Sequence, residues 1–248
     1  MSIESEQDLQ ALLRIGKIVG LTLQEMQKSV RPGITTGELD QIGAAFLKSH
    51  GARSAPPMVY GFPGTACISL NDEAAHGIPG DRVVEAGDLV KIDVTAELDG
   101  YYADAAVTVA VPPVSPLKSR LVACAKAALD KGILAAQAGK PINAIGRTVE
   151  LEVQHRKFSV IRELCGHGVG RTIHEEPRVI PSYYSPQFSQ RLTEGLVLAI
   201  EPHISAKAAR IQDSVDGWTL KTNNGTPVAN YEHTVVVTKG KPLVVTAI

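Results

Sequence analysis

The segment Asp88-Leu-Val-Lys-Ile-Asp-Val-Thr-Ala-Glu-Leu98, with Asp99-Gly100 and then Tyr101-Tyr-Ala-Asp-Ala-Ala-Val-Thr-Val109, decides how this 248-residue chain is read. Asp-Gly between two runs of β-formers is a strong hairpin signal, because a tight turn needs left-handed backbone that Asp tolerates and Gly adopts freely. With a two-residue turn, Thr95 faces Asp104 and Asp93 faces Ala106. The aspartates then share one face, a diagonal step apart, with about 5 to 8 Å between stems. A longer loop would change that register. Thr95 and Glu97 lie on the same face as Asp93, so a solvated face and a functional one both stay open at this point.

Upstream, Leu9, Leu12, Ile15, Val19, Leu23, Met26 and Val30 recur at three- and four-residue steps, and Ser5 with Asp8 has capping-box spacing. This pattern predicts a helix over about 5–30. Arg31-Pro-Gly33 ends it, and Thr35 with Glu38 opens a second helix closing near Gly51. A proline-rich stretch, Val111 to Pro116, interrupts the chain near its middle. The same order then returns: Ser115 as cap, Pro116 as first helical residue, a helix to about Ala138, a Gly139/Pro141 break, and a helix to about Lys157. Strand patterns fall at 66–70, 89–98 and 101–109 in the first half, and at 196–200, 218–222 and 231–238 in the second. The expectation is a single α+β domain, 1–248, of two halves (about 1–111 and 112–248) on a mostly antiparallel sheet. Four strong helical patterns are too few for an eightfold barrel. The halves echo one another in element order, without residue-level similarity.

Composition narrows the function. The chain is 44% apolar and 21% charged, with 25 basic against 26 acidic side chains and a net charge of −1. Such a balance lacks the basic surplus of a polyanion binder, and no apolar run approaches the ~20 residues of a membrane span. The acidic N-terminal stretch has no leader-like apolar region, which points to the cytoplasm. Cys67, Cys124 and Cys165 are odd in number and widely spaced, so reduced thiols are expected.

A second pair of acids turns the hairpin aspartates into a functional signal. Leu196-Val-Leu-Ala-Ile-Glu201-Pro202 ends an apolar strand in a carboxylate, and Asn230-Tyr-Glu232-His-Thr-Val-Val-Val237 sets another beside an apolar run. Ionised carboxylates are rarely buried unless paired or coordinating metal, since desolvation costs several kcal/mol each. Between the hairpin aspartates and this second pair lies Gly166-His167-Gly-Val-Gly170, whose glycines let the backbone bend and leave an imidazole accessible. Two Asp, two Glu and one His suit two divalent ions bridged by shared carboxylates, whereas a single zinc would more often take nitrogen or sulfur. Such a pair makes water a nucleophile for an amide carbonyl near neutral pH. Rival motifs fail. His174-Glu-Glu-Pro-Arg178 carries Arg where a zinc-protease helix needs His, and Pro177 would break that helix. The glycines at 166, 168 and 170 lack dinucleotide-loop spacing, and no nucleophile elbow or phosphate-loop sequence occurs.

Further motifs are specific: Gly33-Ile-Thr-Thr-Gly-Glu-Leu-Asp40, Asn71-Asp-Glu-Ala-Ala-His-Gly-Ile-Pro79, Ile92-Asp-Val-Thr95, Cys165-Gly-His-Gly-Val-Gly170, Ile173-His-Glu-Glu-Pro177, Ile200-Glu-Pro202, Asp216-Gly-Trp-Thr219 and Tyr231-Glu-His-Thr-Val-Val-Val237. With these the chain resembles, nearly end to end, the type I methionine aminopeptidases in their short bacterial form, which have the pita-bread (creatinase-like) fold. The resemblance implies five metal ligands at Asp93, Asp104, His167, Glu201 and Glu232, with Asp104 and Glu232 bridging two divalent ions drawn from Mn, Fe, Co or Zn. It implies hydrolysis after the initiator methionine of nascent polypeptides, before a small second residue, by a water bridging the metals. The substrate's free α-amine would bind one metal. His174 is expected to hydrogen-bond the scissile carbonyl and its oxyanion, His76 the amide nitrogen beyond it, and Glu201 to carry the proton to the leaving amine.

The resemblance also places the methionine pocket at Val59, Phe62, Cys67, Ile173 and Trp218, with Tyr60 at its mouth. Tyrosine is the commoner family type at 59 and 62, histidine at 60, phenylalanine at 173, and methionine where His203 stands. His50, His155 and His233 read as surface or structural, Cys124 as helix core, and Cys165 as space-filling. Free-amine N-termini of nascent chains are the expected partners, with the ribosome as a further candidate, no nucleic acid or membrane, and a monomeric state. The short span between His174 and Glu201 leaves no room for the helical insertion of type II. Proline-directed peptidases of the same fold are the rival enzyme class, and a non-catalytic peptide-binding protein the rival outside enzymes. The retained ligand set argues against the latter.

Overall fold

A computed structural model describes all 248 residues. In chain order the first half holds α1 (Glu6–Ser29), α2 (Thr36–Ser49), β1 (Arg53–Ser54), α3 (Ala55–Tyr60), β2 (Cys67–Leu70), β3 (Glu73–Ala75), β4 (Leu89–Leu98) and β5 (Tyr101–Ala110). The second holds α4 (Pro116–Ala135), α5 (Asn143–His155), β6 (Ser159–Val160), β7 (Cys165–Gly168), β8 (Glu175–Pro181), β9 (Val197–Ile200), β10 (His203–Ser205), β11 (Ile211–Asp213), β12 (Leu220–Thr222), β13 (Val228–Asn230), β14 (His233–Val236) and β15 (Leu243–Val244). Every strand pair is antiparallel. No helix is long and apolar enough to cross a membrane.

The helices start where their caps dictate. Ser5 accepts the Asp8 amide at 3.1 Å, Thr35 and Glu38 form a reciprocal capping box, and Ser115 accepts the Lys118 amide ahead of Pro116. α4 stops at Ala135, short of the expected Ala138, because residues 138 and 139 bond instead to the Thr238 and Leu192 carbonyls. The sequence reading omits α3, whose six residues are too few to show periodicity. It starts at Ala55 with Pro56 and Pro57 in its first turn, where a missing N–H costs nothing, and ends at left-handed Gly61 (φ 72°).

β4 and β5 pair in the two-residue-turn register, Thr95 opposite Asp104 and Asp93 opposite Ala106. β1 and β2 share the other edge of β4. Val90, Ile92 and Val94 turn one face of β4 onto Leu12, Ile15 and Val19 of α1, in a core that also takes Val197 and Val236 from the second half. The opposite face is not solvated: Thr95 and Glu97 are each 4% exposed. Glu97 is paired with Arg53 at 2.8 Å. A five-stranded sheet, β15-β14-β9-β7-β8, carries the corresponding layer of the second half, with Leu198, Ile200 and Val235 packed on Leu129, Ile133 and Ile145 of α4 and α5.

Two expected strands begin two residues late, and one further strand replaces an expected bend. β14 starts at His233, not Tyr231, because Glu232 exchanges backbone hydrogen bonds with Ala106 of β5 (2.9 and 3.3 Å). β12 starts at Leu220, since the Asp216 carboxylate accepts the Trp218 and Thr219 amides and holds them in a turn. The Gly166–Gly168 segment, read as a bend, is strand β7.

Candidate metal centre and cavity

Four elements bring the predicted acids together. Asp93 sits mid-β4 and Asp104 diagonally across on β5. Thr234 of β14 holds Asp104 by its backbone, its hydroxyl accepting the Asp104 N–H and donating to the Asp104 carbonyl, both at 2.8 Å. The partner switch at Glu232 places that residue beside Ala106. Continuing the β9–β14 register, in which Ile200 faces His233, sets Glu201 across from Glu232. His167, opposite Ala199, comes from the neighbouring strand β7.

β7 needs its glycines for room. A Cβ at 166 would lie 2.3 Å from the Ala199 carbonyl oxygen, and one at 168 would lie 2.4 Å from that of Glu176. Consequently the His167 imidazole is not left open to solvent but is 5% exposed. Its Nδ1 lies 2.9 Å from the Gly168 carbonyl, which only an N–H can bond, so the Nε2 lone pair faces the carboxylates.

The electrostatics suit a cation. Burial, with repulsion from Asp104 added, lifts Asp93, Glu201 and Glu232 well above the usual carboxylate range, and burial raises Asp104 as well. Among the ion pairs of these four acids only histidine appears: His167 Nε2 lies 3.3 Å from Glu201 Oε1 and 4.0 Å from Asp104 Oδ2, and His203 Nδ1 4.0 Å from Glu201 Oε2. Burial lowers the pKa of His167 and takes His203 to about 3, so neither imidazole supplies positive charge near neutral pH. Asp104 Oδ1 and Glu232 Oε1 are buried without a hydrogen-bond partner. One donor atom each from Asp104, His167 and Glu232 lies within 4.8 Å of the others. Oxygens and one nitrogen with spare lone pairs, no lysine or arginine, and orphaned acceptors fit a divalent cation.

The acids line a cavity of about 400 Å³. His76 and His174 stand on its wall. Burial depresses both, His174 to about 4 with the neighbouring His167 adding to the effect. Phe62, Cys67, Ile173 and Trp218 form an apolar side, with the Phe62 and Trp218 rings edge to face at 5.3 Å. Tyr60 also lines it, its hydroxyl 2.5 Å from His174 Nδ1. Val59 does not: on α3 it is 45% exposed and outside the lining, one helical step around from Tyr60. Thr95, Cys165 and His203 line the cavity without having been assigned roles there. His203 donates from Nδ1 to the Glu201 carbonyl at 2.9 Å and accepts from Asn230 Nδ2 at 2.7 Å, bracing the chain beside Glu201. His50 and His155 are exposed; His233 is partly buried, bonded to Thr246. A separate groove of about 450 Å³ between α5 and the 208–210 loop holds no metal-binding cluster.

A profile described as metallopeptidase family M24 matches residues 10–239. Methionine aminopeptidase 2 of Bacillus subtilis is 45% identical over 247 residues, spanning 99% of both chains. Methionine aminopeptidase of Clostridium perfringens is 37% identical, over 99% of this chain and 98% of the relative. The crystal structure of methionine aminopeptidase from Thermotoga maritima superposes with a TM-score of 0.96 at 32% identity over the whole of both chains. Prolidase from Pyrococcus furiosus shares the fold at TM-score 0.80 and 21% identity, this chain spanning 65% of its length.

Proposed function

The chain belongs to metallopeptidase family M24, and from that premise we propose that it removes the N-terminal methionine from polypeptides with a free amine in a divalent-metal-dependent hydrolysis. The observation that carries this reading is the set of buried, cation-less acids with unpartnered oxygens at the base of a cavity with one apolar wall. Asp93, Asp104, His167, Glu201 and Glu232 would hold the metal, read as two ions of the Mn, Fe, Co or Zn class. When bound, those ions supply Lewis acidity and make water acidic enough to attack an amide near neutral pH.

The remaining chemistry belongs to side chains. Glu201 takes the proton of the attacking water and returns it to the leaving amine. His174 stays neutral and offers an N–H to the oxygen of the scissile carbonyl as charge develops there. His76 bonds the amide nitrogen beyond. Phe62, Cys67, Ile173 and Trp218 enclose the unbranched thioether, for which an apolar wall is the appropriate solvent. The free α-amine would be held at the metal centre through its nitrogen lone pair, which acylation delocalises, so an acylated substrate should not bind. A small second residue, action on nascent chains in the cytoplasm, contact with the ribosome and a monomeric state complete the reading. So does a single catalytic domain of two halves, supported by the core cluster that both contribute to.

The test offers metal-loaded protein Met-Ala-Ser, N-acetyl-Met-Ala-Ser and Ala-Pro-Ala, with Glu201→Ala as control. Methionine should be released from the first peptide only, chelator should stop it, and the variant should lose about 10²- to 10⁴-fold in rate. Preferential cleavage before proline, or chelator-insensitive activity, would refute the proposal.

A further inference from the structure

The Tyr60–His174 hydrogen bond, which joins the C-terminal end of α3 to the turn preceding β8, is not needed to hold the fold. Left-handed Gly61 ends α3 and presents Tyr60 at the rim. On the opposite side the Glu175 carboxylate accepts the Arg171 and Thr172 amides at 2.5 and 2.7 Å, and the Thr172 hydroxyl donates to the His174 carbonyl at 3.0 Å, which fixes the backbone carrying the imidazole. The side chain itself has a single hydrogen bond, between its Nδ1 and the Tyr60 hydroxyl. The phenol in turn bonds nothing else in the protein. We infer that Tyr60 is a positioning residue: its hydroxyl donates to His174 Nδ1 and so holds the proton of the neutral imidazole on Nε2, the nitrogen turned to the cavity.

A neutral imidazole has one N–H and one lone pair, and its two nitrogens lie on opposite edges of the ring. The ring lies near Asp104 and is tilted by 54° against the His167 ring, ring centroids 4.1 Å apart. Negative charge there favours an N–H pointing inward and disfavours a second bare lone pair beside the one His167 already presents. The outer nitrogen must then accept, and it needs a donor that cannot itself be mistaken for a metal ligand. A phenol is suited, being neutral and firmly protonated: burial pushes the Tyr60 hydroxyl above its usual pKa of 10.0. With the opposite tautomer, Nε2 would turn a lone pair on the carbonyl oxygen it is read as stabilising, so the proposal rests on the aminopeptidase reading for its catalytic consequence, though not for the tautomer itself.

Tyr60→Phe keeps the ring on the cavity wall and removes only the donor. The tautomer is read without metal or turnover, from the ¹⁵N signals of histidine-labelled, metal-free protein at neutral pH, with the His174 pair assigned by its absence in His174→Gln. In the unmodified protein Nε2 should carry the proton, and in Tyr60→Phe the two nitrogens should shift toward an averaged mixture. With Met-Ala-Ser, kcat should fall about 3- to 10-fold, the worth of one neutral hydrogen bond, while KM changes little. A proton on Nδ1 in the unmodified protein, an unchanged nitrogen pattern in the variant, or an unchanged kcat overturns the proposal. Failure of the unmodified enzyme to release methionine would instead refute the aminopeptidase reading and leave the nitrogen spectrum to decide Tyr60.

Discussion

Glu232 keeps a carboxylate at 2% exposure, with Oε1 unpartnered and other acids around it. A side chain so placed costs folding energy until a cation arrives, which separates what it does for stability from what it does for function. Its folded pKa lies well above the ordinary 4.5, so the protonated form is the one the fold favours. Its stabilising share is therefore complete below pH 4.5 and is lost as pH climbs through the raised folded value. Gln does not titrate. Metal-free Glu232→Gln should melt close to the unmodified protein at pH 4.5 and increasingly above it toward pH 8, by about 2–4 °C for each kcal/mol of relieved strain. The same variant should lose the melting-temperature rise on adding Mn²⁺. Scanning calorimetry in chelator across that range checks the first expectation. A variant that melts lower at every pH would show that Glu232 already has a stabilising partner.

At the scale of elements, the centre depends on one join, between hairpin strand β5 and β14. Thr234 Oγ1 satisfies both the N–H and the C=O of Asp104 from across that join, with Thr234 itself fully buried. Valine has nearly the same shape without the hydroxyl, so Thr234→Val strands a buried backbone pair at a cost of about 1–3 kcal/mol. Because the orphaned groups belong to a proposed ligand, metal affinity should fall along with stability. Isothermal titration with Mn²⁺ should show weaker binding, while Thr246→Val, whose hydroxyl accepts the Thr234 N–H but makes no bond to Asp104, should leave affinity near its original value even if stability drops. Equal affinity in Thr234→Val and the unmodified chain would mean that Asp104 is held by its own strand alone.

For the molecule as a whole, Asp93 and Asp104 come from the first half and His167, Glu201 and Glu232 from the second, so an ion among them ties the halves together. Anything that binds only the folded state stabilises it, by about 2.7 kcal/mol at a hundredfold excess over Kd. Heating should give one cooperative transition with Mn²⁺ and one at lower temperature in chelator, since the shared core of Leu12, Ile92, Val197 and Val236 already couples the halves. Two separate transitions, of which only one responds to metal, would show that the halves unfold independently.

Much of this architecture could be read before the fold was known, and for local reasons. Asp99-Gly100 sets the register that puts Asp93 and Asp104 on one face, capping residues open α1, α2 and α4, and acids closing or flanking apolar runs single out Glu201 and Glu232. What lay beyond the sequence depends on partners distant along the chain. Only packing shows that the Thr95–Glu97 face is covered, that the glycines around His167 make a close-packed strand and not an accessible bend, and that Val59 turns to solvent while Tyr60 reaches His174. Thr234 and His203 carry no signal of their own, because a hydroxyl or imidazole beside a ligand looks like any other until the strands that pair with it are placed. Turns, caps and alternation are short-range properties written in neighbouring residues; burial and cross-strand bonding are decided by which surfaces meet, and that is settled when the two halves close on one another.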